Sequence, residues 1–218
     1  MTAGTDAQTG DQETGDLPRV NWARRGMWLV AGTMAYNSVE ALVALWAGLA
    51  AGSIALVGFG LDSVIEMAAA VVVLWRMTIE GRGANTERVG VAEARVRRFV
   101  GTTFFLLAMY VMARSAWALW THDTPSESIV GIVLAGVSLS VMPLIAFAKF
   151  KVADAVGSNA LRAEAKETLA CSYLSFCLLL GLAANAIRGW WWADPVAAAL
   201  MVPWLVREGM EAFEEDEH

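Results

Sequence analysis

The stretch Ile54–Trp75, IALVGFGLDSVIEMAAAVVVLW, decides how this chain folds. It is apolar over a length that suffices to cross a bilayer as a helix, which takes about 20 residues. Two carboxylates, Asp62 and Glu66, interrupt it near its midpoint, where a charge costs about 2.5–3.5 kcal/mol on insertion scales. Their spacing of four residues places both on one helical face. The stretch therefore predicts a membrane helix whose paired acids attract a divalent cation.

The composition of the whole chain favours the same class of protein. Of its 218 residues, 57% are hydrophobic and only 17% are charged, against about 25% charged in an ordinary soluble domain. We therefore expect an all-α, polytopic membrane protein that has the lipid bilayer as its surroundings. No basic patch is interleaved with aromatic residues, which argues against a nucleic-acid partner.

Six stretches are long and apolar enough to be transmembrane helices. In chain order, the predicted spans are Gly26–Ala50, Ile54–Trp75, Phe99–Trp120, Ile129–Phe147, Asn159–Ala184 and Trp190–Val206. Brief links join spans one and two, three and four, and five and six, and each span crosses the bilayer in the direction opposite to the one before it.

The distribution of Lys and Arg indicates how the spans are oriented. Nearly all basic residues outside the spans fall on one side of the predicted bundle, and the opposite side carries only Arg188. The positive-inside rule then places both termini in the cytoplasm. We expect an integral protein of the inner or plasma membrane of the cell.

The two ends of the chain differ in composition from the spans. Residues 1–20 are rich in Thr, Gly, Asp and Gln, a composition typical of a disordered tail. We predict a six-helix transmembrane domain over residues 21–209 and a solvated acidic tail over residues 210–218.

The fifth span supplies a second pair of candidate ligands. In the segment AEAKETLACSYLS, Glu167 and Cys171 are also four residues apart and share a helical face. With Asp62 and Glu66 they give four side chains at similar depth, and Zn²⁺ favours four-coordinate sites of Asp, Glu, His and Cys. A thiolate favours Zn²⁺ or Cd²⁺ over Mg²⁺ or Ca²⁺, which prefer oxygen ligands.

Each of these residues also has a plain structural interpretation. Protonated Asp62 and Glu66 can hydrogen-bond a neighbouring helix, and Glu167 can lie at the membrane interface where the span begins. A cysteine such as Cys171 is more often a small core residue than a ligand. The position of Cys171 opposite the acid pair makes the two interpretations of this residue equally good.

Three further polar residues lie within predicted spans. Asn37 and Glu40 are three residues apart at mid-depth in the first span and can face the same cavity as the acid pair. Arg114 lies in the outer half of the third span, where it either pairs with Glu40 or extends toward the interface.

Three stretches resemble a known family of transporters. Residues 37–66, NSVEALVALWAGLAAGSIALVGFGLDSVIE, are similar to the first two spans of the cation diffusion facilitator family. Glu66 stands where that family usually has Asp. In the fifth span, Glu167 and Cys171 stand where the family usually has His and Asp. The segment WWWADPVAAALM resembles the start of the sixth span of the family.

The resemblance implies a proton-coupled exporter of divalent metals that works as a homodimer. Zn²⁺ is the expected cargo, with Cd²⁺, Mn²⁺ or Fe²⁺ as further candidates, and the metal is transported rather than held as a cofactor. The His-rich loop and the cytoplasmic metal-binding domain common in the family are not found in this sequence. An uncoupled facilitator, or a membrane scaffold that keeps the fold without transport, are the competing interpretations. An enzyme is not expected, since no nucleophile–base constellation accompanies the acids and no catalytic residue is predicted.

Overall fold

The fold is a bundle of helices. A computed structural model describes the chain over residues 9–80 and 86–214. In that part the chain forms six helices and no strand, which confirms the all-α prediction. They are α1 Thr9–Ala51, α2 Ile54–Glu80, α3 Thr86–Thr121, α4 Ile129–Val156, α5 Asn159–Arg188 and α6 Ala193–Glu214.

Five of these helices are long and apolar enough to cross a membrane. The apolar segments are Arg24–Ala51, Ile54–Val72, Arg98–Thr121, Ile129–Val156 and Leu161–Arg188. Large apolar side chains point outward from them, among them Leu42, Leu49 and Leu144, each at least 70% exposed. Such an apolar exterior suits lipid contact and agrees with a polytopic membrane protein. The last helix, α6, packs against α2, α3 and α5, but it is not among the helices with an apolar segment long enough to cross a membrane.

The predicted tails overlap the first and last helices. α1 begins at Thr9, inside the stretch 1–20 that the sequence predicts as a tail, and α6 continues to Glu214. Residues 1–8 and 215–218 lie outside the described residues. The division into a bundle with two tails stays a prediction.

α1 and α2 form a tight hairpin because glycines allow it. Gly52 in the turn has a φ of 69°, in the left-handed region that glycine adopts at little cost. At Gly48 a Cβ atom would meet the backbone nitrogen of Val57 at 2.9 Å. The missing side chain therefore lets the two backbones approach closely enough to fix the position of α2.

The start of α6 is attached to this hairpin through Asp194. This buried carboxylate accepts a hydrogen bond from the Ser53 hydroxyl and another, of 2.8 Å, from the Ile54 backbone nitrogen. An acid at the first turn of α2 satisfies free N–H groups and interacts favourably with the helix dipole. The segment WWWADPVAAALM thus contributes a cap for a distant helix.

Serine and glycine mark the ends of α4 and α5. The Ser128 and Ser158 hydroxyls accept hydrogen bonds from the backbone nitrogens of residues three positions later, as N-cap residues do. Gly157 and Gly189 end the two helices with φ values of 68° and 64°. These caps allow a short link between α4 and α5 that brings the two helices side by side.

α2 is the central helix of the bundle. It contacts α1, α3, α5 and α6, and side chains such as Leu56 and Phe59 are fully buried in the main core. Polar residues in the middle of α2 are therefore surrounded by protein rather than by lipid.

Candidate metal site

Asp62 and Glu66 lie deep in the bundle on one face of α2. They are 3% and 9% exposed, respectively. At 1.5 Å per residue, they lie about 12 and 18 Å from the start of α2, which agrees with the mid-membrane depth expected from the sequence. Two neighbouring carboxylates at this depth repel each other unless a cation or a proton neutralises them.

A small cavity of about 10 Å³ lies beside the pair. We call it the acidic pocket. It is lined by four carboxylates and three apolar or aromatic residues: Asp62, Glu66, Glu167, Glu208, Phe104, Ala170 and Trp204. A free volume of roughly 10–15 Å³ is what a single water molecule needs, so the pocket is of the right size for one small ion.

Hydrogen bonding inside the acidic pocket is incomplete. The Oδ2 atom of Asp62 is buried and has no hydrogen-bond partner among the described residues. The negative charges of Glu208 and Glu40 both act on Asp62. A buried, unpaired carboxylate oxygen beside other carboxylates is costly, and a positive ion would remove that cost.

Asn37 of α1 holds the second acid in place. Its Nδ2 atom donates a hydrogen bond of 2.9 Å to Oε2 of Glu66. The Oδ1 atom of Asn37 is itself buried and without a hydrogen-bond partner in the described part of the chain. The structure thus places Asn37 behind Glu66, where it orients the carboxylate.

Cys171 contacts Glu40 outside the acidic pocket. Cys171 is fully buried and is not among the residues that line the acidic pocket. Its Sγ atom lies 3.9 Å from Oε2 of Glu40, which also accepts a hydrogen bond of 3.1 Å from Ser63. The Ser138 hydroxyl donates to the other oxygen of Glu40. Three of the four predicted ligands therefore share one pocket, while Cys171 contacts Glu40.

The predicted pairing of Arg114 with Glu40 is wrong. Arg114 is exposed on α3, whereas Glu40 is 1% exposed and bonded to hydroxyl groups. The alternative interpretation, that Arg114 extends outward from its helix, agrees with its exposure because a guanidinium group is stabilised at the membrane interface.

The carboxylates of the pocket line it without converging on one point. Within residues 9–80 and 86–214, no three His, Cys, Asp or Glu side chains lie close enough together to hold a metal ion as they stand. Glutamate side chains have three rotatable bonds, and Glu167 and Glu208 are only half-buried. Binding of an ion therefore requires these longer side chains to turn toward Asp62.

The sequence interpretation missed one carboxylate of the pocket. Glu208 follows the predicted end of the sixth span, so it was not considered among the buried acids. Glu208 comes four residues after Trp204, so the two share a helical face, but the sequence does not show that this face of α6 points toward α2. Both line the acidic pocket.

A buried ion pair was missed as well. Lys149 is fully buried, with its Nζ atom 2.5 Å from Oε1 of Glu164 and 2.8 Å from the Thr168 hydroxyl. The sequence prediction ended the fourth span at Phe147 and counted Lys149 as a basic residue of a cytoplasmic loop. The helix instead continues to Val156, and the carboxylate of Glu164 satisfies the charge of the buried lysine inside the bundle.

Comparison with known proteins extends these observations. The family described as the cation efflux transmembrane domain matches residues 33–216. An uncharacterized transporter of Synechocystis sp. (strain ATCC 27184 / PCC 6803 / Kazusa) is 24% identical over 150 residues, which cover 67% of this chain and 48% of that protein. The chain thus spans about half the length of the curated relative that it matches.

Proposed function

The chain belongs to the cation efflux family, and from that premise we propose that it exports divalent metal cations, with Zn²⁺ as its preferred cargo, in exchange for protons. The family is one of transporters rather than enzymes, and the helices make the chain an integral membrane protein. Membership of the family does not by itself specify which metal is transported, which ion is exchanged for it or which residues bind it. These three points are part of the proposal.

The unpartnered oxygen of Asp62 is the observation that carries the proposal. It lies in the acidic pocket, where Glu66 and Glu167 add two further carboxylates. A protein that needed Asp62 only for packing would supply a hydrogen-bond donor to it, since nearly all buried polar groups have one. An ion that visits the pocket would supply the missing contact.

Cys171 is the proposed fourth ligand. It lies one helical turn beyond Glu167 on α5, and the charges of Asp62 and Glu66 act on it. Three oxygens and one sulfur are a ligand set that Zn²⁺ accepts. In the proposed bound state, Cys171 leaves Glu40 and coordinates the ion as a thiolate.

Exchange against protons follows from the chemistry of these ligands. Carboxylates and thiolates hold metal only when they are deprotonated, so metal and protons compete for the same atoms. Metal binds from the cytoplasmic side, and protons displace it when the pocket opens to the opposite side. The protonated pocket then returns without a buried negative charge, which avoids the cost of moving bare carboxylates through the bundle.

The proposed topology has both termini in the cytoplasm, in the inner or plasma membrane. The proposed assembly is a homodimer. The topology is tested by labelling single cysteines introduced near either end of the chain in the membrane with a reagent that does not cross it. The assembly is tested by cross-linking in membranes.

Zn²⁺ flux in proteoliposomes with an imposed pH gradient tests the transport function. Asp62→Asn should lower the initial rate by on the order of 100-fold, which corresponds to about 2.7 kcal/mol, because the amide removes the charge of a ligand. Asp154→Asn is the matched control, since Asp154 is exposed on α4 and pairs with Arg162. Equal rates for the two variants would rule out the acidic pocket as the metal site.

The same experiment separates the two competing functions. A facilitator without proton coupling would transport Zn²⁺ at the same rate with and without the pH gradient. A scaffold without transport would show neither flux nor a metal-dependent rise in melting temperature in detergent, whereas a metal-binding transporter is stabilised by its ligand.

A further inference from the structure

One side of the acidic pocket is formed by α6, in addition to the acidic residues of α2 and α5. Trp204 and Glu208 of α6 both line it, and their spacing of four residues places them on the same face of α6. Glu208 and Asp62 line the same small cavity, so their carboxylates are close enough to repel each other when both are charged. A third helix therefore takes part in the pocket through a carboxylate.

Exposure changes in a regular way across the pocket. Asp62 and Glu66 are buried, while Glu167 and Glu208 are half-buried. Glu167 lies in the first third of α5 and Glu208 in the last third of α6. With consecutive helices antiparallel, these two positions fall at the same end of the bundle, on the side proposed to be cytoplasmic.

A second observation, the hydrogen bonding of Asp62, supports an ion-binding position in the pocket near this end of the bundle. The Oδ2 atom of Asp62, a residue 3% exposed, has no hydrogen-bond partner among the described residues. Asp62 lines the acidic pocket together with the two half-buried carboxylates Glu167 and Glu208. The donors available to an entering ion are thus oxygen atoms at each step from the opening to Asp62.

We infer that Glu208 is a cation-binding residue at the open end of the acidic pocket, where it captures the ion with Glu167 before the ion reaches Asp62 and Glu66. This inference rests on the proposed transport function. Carboxylate oxygens bind hard and borderline divalent cations alike, so the capture step by itself accepts Zn²⁺ and Mn²⁺. Selection between metals then falls to the deeper ligands.

Such a role makes a specific kinetic prediction. A capture residue raises the affinity for the ion in the cytoplasm without taking part in the later release, so its loss should change KM more than kcat. Glu208→Gln should raise KM for Zn²⁺ and for Mn²⁺ by about tenfold, or about 1.4 kcal/mol, with kcat nearly unchanged. Glu208→Asp, which keeps the charge on a shorter side chain, should raise KM by a smaller but still measurable factor.

Glu211→Gln is the matched control. Glu211 lies on the same helix and pairs with Arg207 at an exposed position, so this variant removes the same charge outside the pocket. The measurements are initial rates of Zn²⁺ and Mn²⁺ uptake into proteoliposomes and the melting temperature of each variant in detergent. If Glu208→Gln folds poorly, KM is compared between Glu208→Asp and the wild type, where the shorter side chain should raise KM measurably.

The outcomes separate the inference from the function on which it rests. Absence of metal flux in the wild-type protein would contradict the proposed function. Loss of flux in Asp62→Asn together with an unchanged KM in both Glu208 variants would overturn the role of Glu208 alone. A fall in kcat without a change in KM would also overturn it, because that pattern indicates a structural or gating role.

Discussion

Asp62 and Asp194 are both buried in the same bundle, but their carboxylates differ in hydrogen bonding. Asp194 is 1% exposed, and its two oxygens accept hydrogen bonds from Ser53 and Ile54. Asp62 is 3% exposed, and its Oδ2 atom has no hydrogen-bond partner in the part of the chain that the structure describes. Burial alone therefore does not distinguish a structural acid from a functional one.

The two sites differ in whether the fold itself supplies hydrogen-bond donors to the carboxylate. Asp194 has donors that belong to the fold, so its charge stabilises the connection between α6 and the α1–α2 hairpin. Asp62 faces other carboxylates across a cavity, and under the proposed function a cation or a proton compensates its charge. Glu164 also has a partner supplied by the fold, because Lys149 pairs with its Oε1 atom, although its Oε2 atom has no hydrogen-bond partner among the described residues.

The largest effect on stability is expected for the fixed ion pair. Lys149→Met would leave Glu164 buried without its cation, and breaking a buried pair in this way costs about 3–5 kcal/mol. Lys151→Met is the control on the same helix, because Lys151 is exposed. The measurement is the free energy of unfolding in detergent, followed by circular dichroism. Equal stability of the two variants would show that Lys149 is not a fixed partner.

A smaller loss is expected when the cap on α2 is removed. Asp194→Ala leaves the Ser53 hydroxyl and the Ile54 nitrogen buried without an acceptor, at a cost of about 1–3 kcal/mol. Asp62→Ala should cost nothing or raise the melting temperature, because it removes one of several carboxylates that repel one another. A comparable loss of stability in both alanine variants would contradict the distinction between the two aspartates.

The smallest effect concerns selectivity among metals. Cys171→Ser should reduce transport of Cd²⁺ more than that of Mn²⁺, because a thiolate prefers the softer ion. Cys177→Ser provides the control, since Cys177 is a second buried cysteine of α5 that lines no part of the acidic pocket. If serine at position 171 reduces both fluxes equally, or neither, Cys171 is not a ligand, and its contact with Glu40 is its main role.

The helical bundle was predictable from hydropathy, with errors at the helix ends. The apolar runs predicted the helices because crossing a bilayer requires a continuous apolar length with internal hydrogen bonding. The end of α4 was misplaced because hydropathy counts Lys149 as a residue that must reach water. Its partner Glu164 lies on α5, and no local pattern reveals that the two charges meet.

The candidate site was predictable in part. The spacing of Asp62 and Glu66 identified two carboxylates of the pocket, and the first part of the α5 motif identified Glu167. Glu208 could not be identified in the same way, because its place in the pocket depends on how α6 is rotated against α2. The contact between Cys171 and Glu40 could not be predicted either, because it depends on how α5 packs beside α1 and α4.

The sequence by itself determined that the chain is a bundle of membrane helices with a pair of acids at mid-depth. It could do so because both features are local: apolar length and the 3.6-residue period act within a single helix. Only the tertiary structure decided which buried carboxylates have hydrogen-bonding partners in the fold and which, like Asp62, keep an oxygen without one among the described residues. Electrostatic compensation in a low-dielectric interior depends on distances of a few ångströms between side chains of different helices, and close packing of all six helices sets those distances.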